Sequence, residues 1–189
     1  MDVRKLLEIL HIAEKLKDVT RHAYTSGGRH ESVAEHSWRI ALMAFLMKDE
    51  FAELDMDKVI RMCLIHDLGE IFTGDIPTFL KTDADTETED NLLEKWVSTI
   101  PSPVREEMLA LYAEMNALES DEAKLYKALD KLEAVIQHNE SPINTWEPLE
   151  YNLNRTYAYE NVAFSPYMQQ LRDAIRDETD AKIEKEANA

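Results

Sequence analysis

The chain has 189 residues, 44% of them hydrophobic, and carries 38 acidic against 21 basic side chains for a net charge of −17. That apolar fraction over that length allows a sizeable core and excludes a disordered acidic tail. The negative field argues against a nucleic-acid surface or an anionic membrane surface, since both want clustered cations. Any phosphate-bearing ligand would have to be held by a local positive centre working against that field.

Only 4 Gly and 6 Pro punctuate the chain, and no segment keeps a period-two alternation rich in Val, Ile and Thr, so an all-α domain is predicted. Leu6, Leu7, Ile9, Leu10, Ala13 and Leu16 recur at helical spacing and predict a first amphipathic helix. A polar loop through Thr25-Ser26-Gly27-Gly28-Arg29 follows. Ser32-Val33-Ala34-Glu35 fits a capping box and places His36 in the first turn of a long helix. A third helix is expected over about Met56 to Glu70, ending before Thr73-Gly74-Asp75-Ile76-Pro77. The acidic stretch from Lys81 to Glu87 reads as a solvated loop in preference to a mobile lid. Ser102-Pro103 and Ser165-Pro166 each read as an N-cap followed by Pro at the first helical position. Between them a helix is expected from about Asp121 to His138, with Leu125, Leu129, Leu132, Val135 and Ile136 facing inward. The charged run from Asp177 reads as an exposed, fraying helix end.

The one cysteine, Cys63, lies in an apolar run and reads as a small buried hydrophobe. No apolar leader follows the opening Met-Asp-Val-Arg-Lys and no long apolar stretch occurs elsewhere, so a cytoplasmic protein is expected.

The chemistry concentrates in a few residues. His66-Asp67 sits between apolar neighbours, with His36 upstream and Asp130 downstream on segments that all read as helices. Two imidazoles and two carboxylates could close around one divalent cation. On a helix Glu70 would crowd the same end of one face as His66 and Asp67. An ionised Asp67 or Asp130 among leucines needs a cation or strong donors. His11, His30 and His138 have no spaced partner and read as solvated or packing residues.

Taken in order, Glu31-Ser32-Val33-Ala34-Glu35-His36, His66-Asp67 with Glu70, Gly74-Asp75-Ile76-Pro77 and Asp130 resemble the HD-domain phosphohydrolases. The resemblance is to the single-domain branch that contains bacterial 5′-deoxyribonucleotidases and their eukaryotic relatives, and it covers about residues 6 to 138. It implies one HD-type helical bundle over residues 1–189, with the metal-site core at about 30–138 and helices within 139–189 completing it. It implies His36, His66, Asp67 and Asp130 as metal ligands and Glu70 as the residue that handles the catalytic proton. Arg21 matches an arginine that holds the substrate phosphate, Lys81 a second phosphate-facing cation, and Asp75 a residue near the sugar. Members usually carry Trp at or near the position after the arginine, packed by the deoxyribose. Here the run is Arg21-His22-Ala23-Tyr24, so His22 or Tyr24 would take that place. A homodimer is also implied.

Dinuclear members of the wider superfamily need further histidines between the ligands. None occurs here between Asp67 and Asp130, so one metal is expected. Two nitrogens, two carboxylate oxygens and waters suit octahedral Mn, Co, Fe or Mg. The expected reaction is phosphate release from 2′-deoxynucleoside 5′-monophosphates. With Arg21 and Lys81 as the only matched cations, a triphosphate would be poorly neutralised. The alternatives are hydrolysis of another phosphorylated substrate, such as a nucleoside triphosphate or nucleotide-like metabolite, and a non-catalytic HD sensor that binds a nucleotide.

Overall fold

The computed structural model describes residues 1–188. Its helices are α1 (Val3–Ala13), α2 (Val33–Leu46), α3 (Met56–Ile65), α4 (Glu70–Thr73), α5 (Asp83–Val97), α6 (Val104–Ala117), α7 (Asp121–Glu140), α8 (Glu150–Thr156), α9 (Tyr159–Val162) and α10 (Pro166–Ala187). An antiparallel hairpin of β1 (Thr20–Tyr24) and β2 (His30–Ser32) precedes α2. The all-α fold is therefore as expected, apart from this hairpin where the sequence reading has a loop. Its strands are too short to show an alternation, and Gly28 at φ +81° makes the turn between them.

The core lies where α2, α3 and α7 meet, with α10 and α9 behind α7. Ile40 and Ala44 from α2, Val59, Met62 and Cys63 from α3, and Leu125, Leu129 and Leu132 from α7 are all sealed from solvent. A large apolar side chain buried this way contributes about 1.5–3 kcal/mol. Because α7 buries residues around most of its circumference, polar groups on it are enclosed as well. A smaller cluster of Leu93, Trp96, Val97, Ile100 and Met108 joins α5 to α6 and receives Ile9 and Ile12 of α1. The remaining apolar face of α1 does not pack as its periodicity suggests: Leu6, Leu7 and Leu10 are about half exposed.

Four expectations about element boundaries change. Helix α3 stops at Ile65, and residues 66–69 form a tighter turn leading into α4. Its bonds run from Leu68 N to Ile65 O (3.2 Å), Glu70 N to Asp67 O (3.0 Å) and Phe72 N to Gly69 O (3.0 Å). In such 3₁₀-like geometry residues three apart eclipse, which aligns Asp67 with Glu70. Gly69 permits the neighbouring helix to come close, since a Cβ there would lie 2.7 Å from Glu89 Cγ.

The acidic stretch is not a loop. Thr82 and Asp85 make a capping box, and Asp83 and Asp85 sit in the first turn of α5, where the helix dipole favours negative charge. At the C-terminus, Asp177 falls inside α10 and not at a frayed end. Thr179 is buried and bonds Asn139 Oδ1 at 2.8 Å. Buried Arg172 donates to the carbonyls of Tyr157 and Asn154, tying α8 and its following loop to α10. Of the two Ser-Pro signals, Ser165-Pro166 opens α10 as expected, whereas α6 begins one residue after Pro103.

Thr82→Ala removes the cap of α5 and is expected to destabilise the protein by about 1 kcal/mol. Urea unfolding followed by circular dichroism checks this, and the midpoint should fall while the slope stays constant.

Candidate metal centre and adjoining cavity

The capping box delivers His36. Ser32 Oγ accepts from the Glu35 amide (3.3 Å), Glu35 Oε2 accepts from the Ser32 amide (2.9 Å), and the next residue turns inward. His36 is fully buried. Its Nε2 lies 3.3 Å from Asp130 Oδ1 and 3.8 Å from Asp67 Oδ2. His66, at the end of α3, donates Nδ1–H to the Cys63 carbonyl at 2.9 Å. Its Nε2 lies 2.9 Å from Asp67 Oδ2 and 3.7 Å from Asp130 Oδ1. The structure thus brings together His36, His66, Asp67 and Asp130, drawn from α2, the turn after α3, and α7.

These contacts are close without being good hydrogen bonds, because the buried Nε2 atoms of His36 and His66 both lack a properly aligned partner. Donor atoms of His36, His66 and Asp67 all fall within 4.8 Å of one another. Adjacent ligands of an ion with bonds of about 2.1 Å lie about 3.0 Å apart in an octahedron, a spacing close to that seen here. The donor set and its orphaned nitrogens therefore fit a divalent cation.

Charge tells the same story. Burial opposes ionisation of Asp67 and Asp130, but neighbouring cations overcome it. His66 and His36 hold Asp67 down at about 2, while Lys127 and the two imidazoles hold Asp130 well below the usual carboxylate range. Burial would also lower His66, yet the negative charges of Asp67 and Asp130 raise it to about 10.

Beside this cluster is a cavity of about 460 Å³ whose wall includes Asp67, Asp130, Arg21, Glu70, Asp75 and Lys81. Arg21, from β1, has Nε 3.2 Å from Glu31 Oε2 and Nη1 3.8 Å from Asp67 Oδ2. Glu70 is 5% exposed, with Oε2 buried and unpartnered. Its burial, together with the charges of Asp67 and Asp75, pushes its carboxyl up to about 10. Burial also raises Asp75. Lys81 reaches the cavity, but its Nζ is bonded to Glu89 at 2.7 Å.

His22 also lines the cavity, 3.2 Å from Glu150 Oε1 and edge-on to Phe79. Tyr24 instead stacks on His30 at 4.0 Å and is not part of the wall. Of the two candidates for the position beside the arginine, His22 is the one that faces the cavity.

Sequence reasoning missed several neighbours. His138, expected as a solvated or packing residue, shares Glu150 with His22 at 3.4 Å and lines the cavity. Glu133 is bonded to His36 Nδ1 at 2.5 Å. Lys127 bonds Asp130 Oδ2 at 2.8 Å, and Lys131 joins it in the wall. The cations near the site are therefore not limited to Arg21 and Lys81. Lys127, Asp130 and Glu133 follow one another at three-residue intervals along α7, a spacing that was available in the sequence.

Residues 13–172 match the HD domain family. The human 5′-deoxynucleotidase HDDC2 is 32% identical over 156 residues, covering 80% of this chain and 73% of the human protein. The same-named protein of Bos taurus is 31% identical over 188 residues, covering 95% and 88%. A solved structure of a predicted metal-dependent phosphohydrolase from Magnetospirillum magnetotacticum MS-1 superposes with a TM-score of 0.80 at 28% identity, covering 95% of this chain and 93% of that one. With a match across most of its length and relatives at this level of identity, the chain belongs to the HD domain family.

Proposed function

We propose that this protein is a metal-dependent phosphohydrolase that releases inorganic phosphate from 2′-deoxynucleoside 5′-monophosphates. The observation that carries the reading is the convergence of His36, His66, Asp67 and Asp130 beside a cavity that also holds Arg21 and Glu70. The relatives named 5′-deoxynucleotidases support the substrate class. The four residues would hold one Mn, Co, Fe or Mg ion, which when bound supplies Lewis acidity toward a phosphoryl oxygen and a template for water.

The protein's own groups do the rest. The Arg21 guanidinium, kept charged by the surrounding carboxylates, presents a fork to the phosphate oxygens. Lys81 and Lys127 add positive charge from two further sides. Glu70 lies three residues from Asp67 with an unpaired carboxyl oxygen, placed to hold a proton for the attacking water or the departing 5′-oxygen. Asp75 and His22 face the nucleoside part of the cavity. Against four cationic side chains the wall also carries Asp67, Asp75, Asp130 and Glu150. That balance favours one phosphate over three, even with Lys127 and Lys131 counted.

A pure sensor has little use for Glu70, a buried carboxyl that keeps an unpartnered oxygen beside the cavity. We assign the protein to the cytoplasm, where nucleotides and reduced thiols such as Cys63 occur; among the described residues no helix is long and apolar enough to cross a membrane. Helix α2 leaves Trp38, Phe45 and Leu46 at least half exposed along one stripe. Covering that stripe with a second copy would give a homodimer.

Glu70→Gln should keep its metal and lose turnover by about 10²-fold or more, the scale of a positioned acid or base. Metal analysis alongside kcat separates this from loss of a ligand. Incubation with Mn and each class of nucleotide, followed by phosphorus NMR, tests the reaction itself. Orthophosphate from deoxynucleoside monophosphates is expected. Tripolyphosphate from triphosphates, or binding without turnover, would contradict the reading.

A further inference from the structure

The Nδ1 side of His36 carries a contact that the reaction described above does not use. Glu133 lies one helical turn beyond Asp130 on α7, so the two carboxyls share a face. Asp130 approaches His36 Nε2 at 3.3 Å and Glu133 accepts from His36 Nδ1 at 2.5 Å. One helix thereby holds both edges of one imidazole. Glu133 is completely buried, where an ionised carboxylate is costly unless paired. Its other oxygen makes no hydrogen bond and has Arg39 at 3.7 Å, while Arg39 is itself bonded to Glu140 at 2.6 Å. The single hydrogen bond of this carboxylate goes to His36.

The two imidazoles are supported unequally. His66 gives its Nδ1 proton to a neutral backbone carbonyl, whereas His36 gives its proton to a charged carboxylate. A carboxylate in that position fixes the tautomer with the Nε2 lone pair free, and it makes that nitrogen a stronger donor.

We propose that Glu133 is a positioning residue for the metal centre, orienting His36 through Nδ1 so that Nε2 faces Asp67 and Asp130 and binds a divalent cation more tightly. The proposal rests on His36 being a ligand, as proposed above. Glu31 provides the matched control. It is buried nearby and pairs with Arg21, but makes no hydrogen bond to His36.

The test is a Mn²⁺ titration of the full chain against a fluorescent chelator, which reads affinity without turnover. Glu133→Gln should weaken Mn²⁺ about 10-fold and Glu133→Met up to about 100-fold, the range for lost outer-sphere partners of metal-bound histidine. Glu31→Gln should stay within about 3-fold, and His36→Ala should show no specific binding. At saturating Mn²⁺ the kcat of Glu133→Gln should recover, which a merely structural defect would not allow. Should Glu133→Met fail to fold, the Gln variant decides. Wild-type affinity in Glu133→Gln and Glu133→Met, with binding lost in His36→Ala, would overturn the proposal and leave the ligand set standing. Equal losses in Glu31→Gln and Glu133→Gln would also overturn it, by assigning the effect to buried charge alone. Full binding by His36→Ala would instead remove the ligand assignment beneath it.

Discussion

Negative charge enclosed between α2, α3 and α7 is the constraint on which the rest of the structure depends. Asp67, Asp130 and Glu133 press against two buried imidazoles, with Glu31 and Glu70 close behind. Carboxylates so enclosed are stable only beside positive charge. Arg21, Arg39 and Lys127 provide part of it from the periphery. The centre of the cluster, where the two Nε2 atoms face Asp67 and Asp130, is left for protons or a cation.

Helix α7 joins this constraint to the fold. Its Leu125, Leu129 and Leu132 fill the main core, while Lys127, Asp130 and Glu133 enter the polar cluster. Packing thus fixes the position of Asp130 and of the carboxylate behind His36. The tightened turn at 66–69 has a related role. It turns Asp67 and Glu70 toward the same cavity, while Gly69 admits α5 and with it the Glu89 that holds Lys81. The geometry needed for chemistry is in this way inherited from apolar contacts some distance from the substrate.

Much of this was legible in the chain. The capping box before His36, the inner stripe of α7 and the buried cysteine follow from local rules, because caps and periodicity act within a few residues. Other features depend on contacts between distant segments. The change from α-helix to a tighter turn after Ile65 goes with the approach of α5, which the sequence around His66 does not reveal. The half-exposed leucines of α1 have the periodicity of a buried face, and spacing alone does not say what covers it. Glu150, which joins His22 to His138, lies more than ten residues beyond the last motif. Its part in the cavity emerges only when α8 folds back. The acidic stretch from Lys81 to Glu87 differs for another reason: its charge density suggests a loop, whereas the Thr82–Asp85 box marks a helix start.

The central claim is that His36, His66, Asp67 and Asp130 make a single metal centre. Metal content after Mn²⁺ loading and gel filtration, measured on the wild-type chain and on His66→Ala, tests it most directly. One Mn²⁺ per wild-type chain and none in the variant is the predicted result; two per chain, or undiminished loading in His66→Ala, would contradict it.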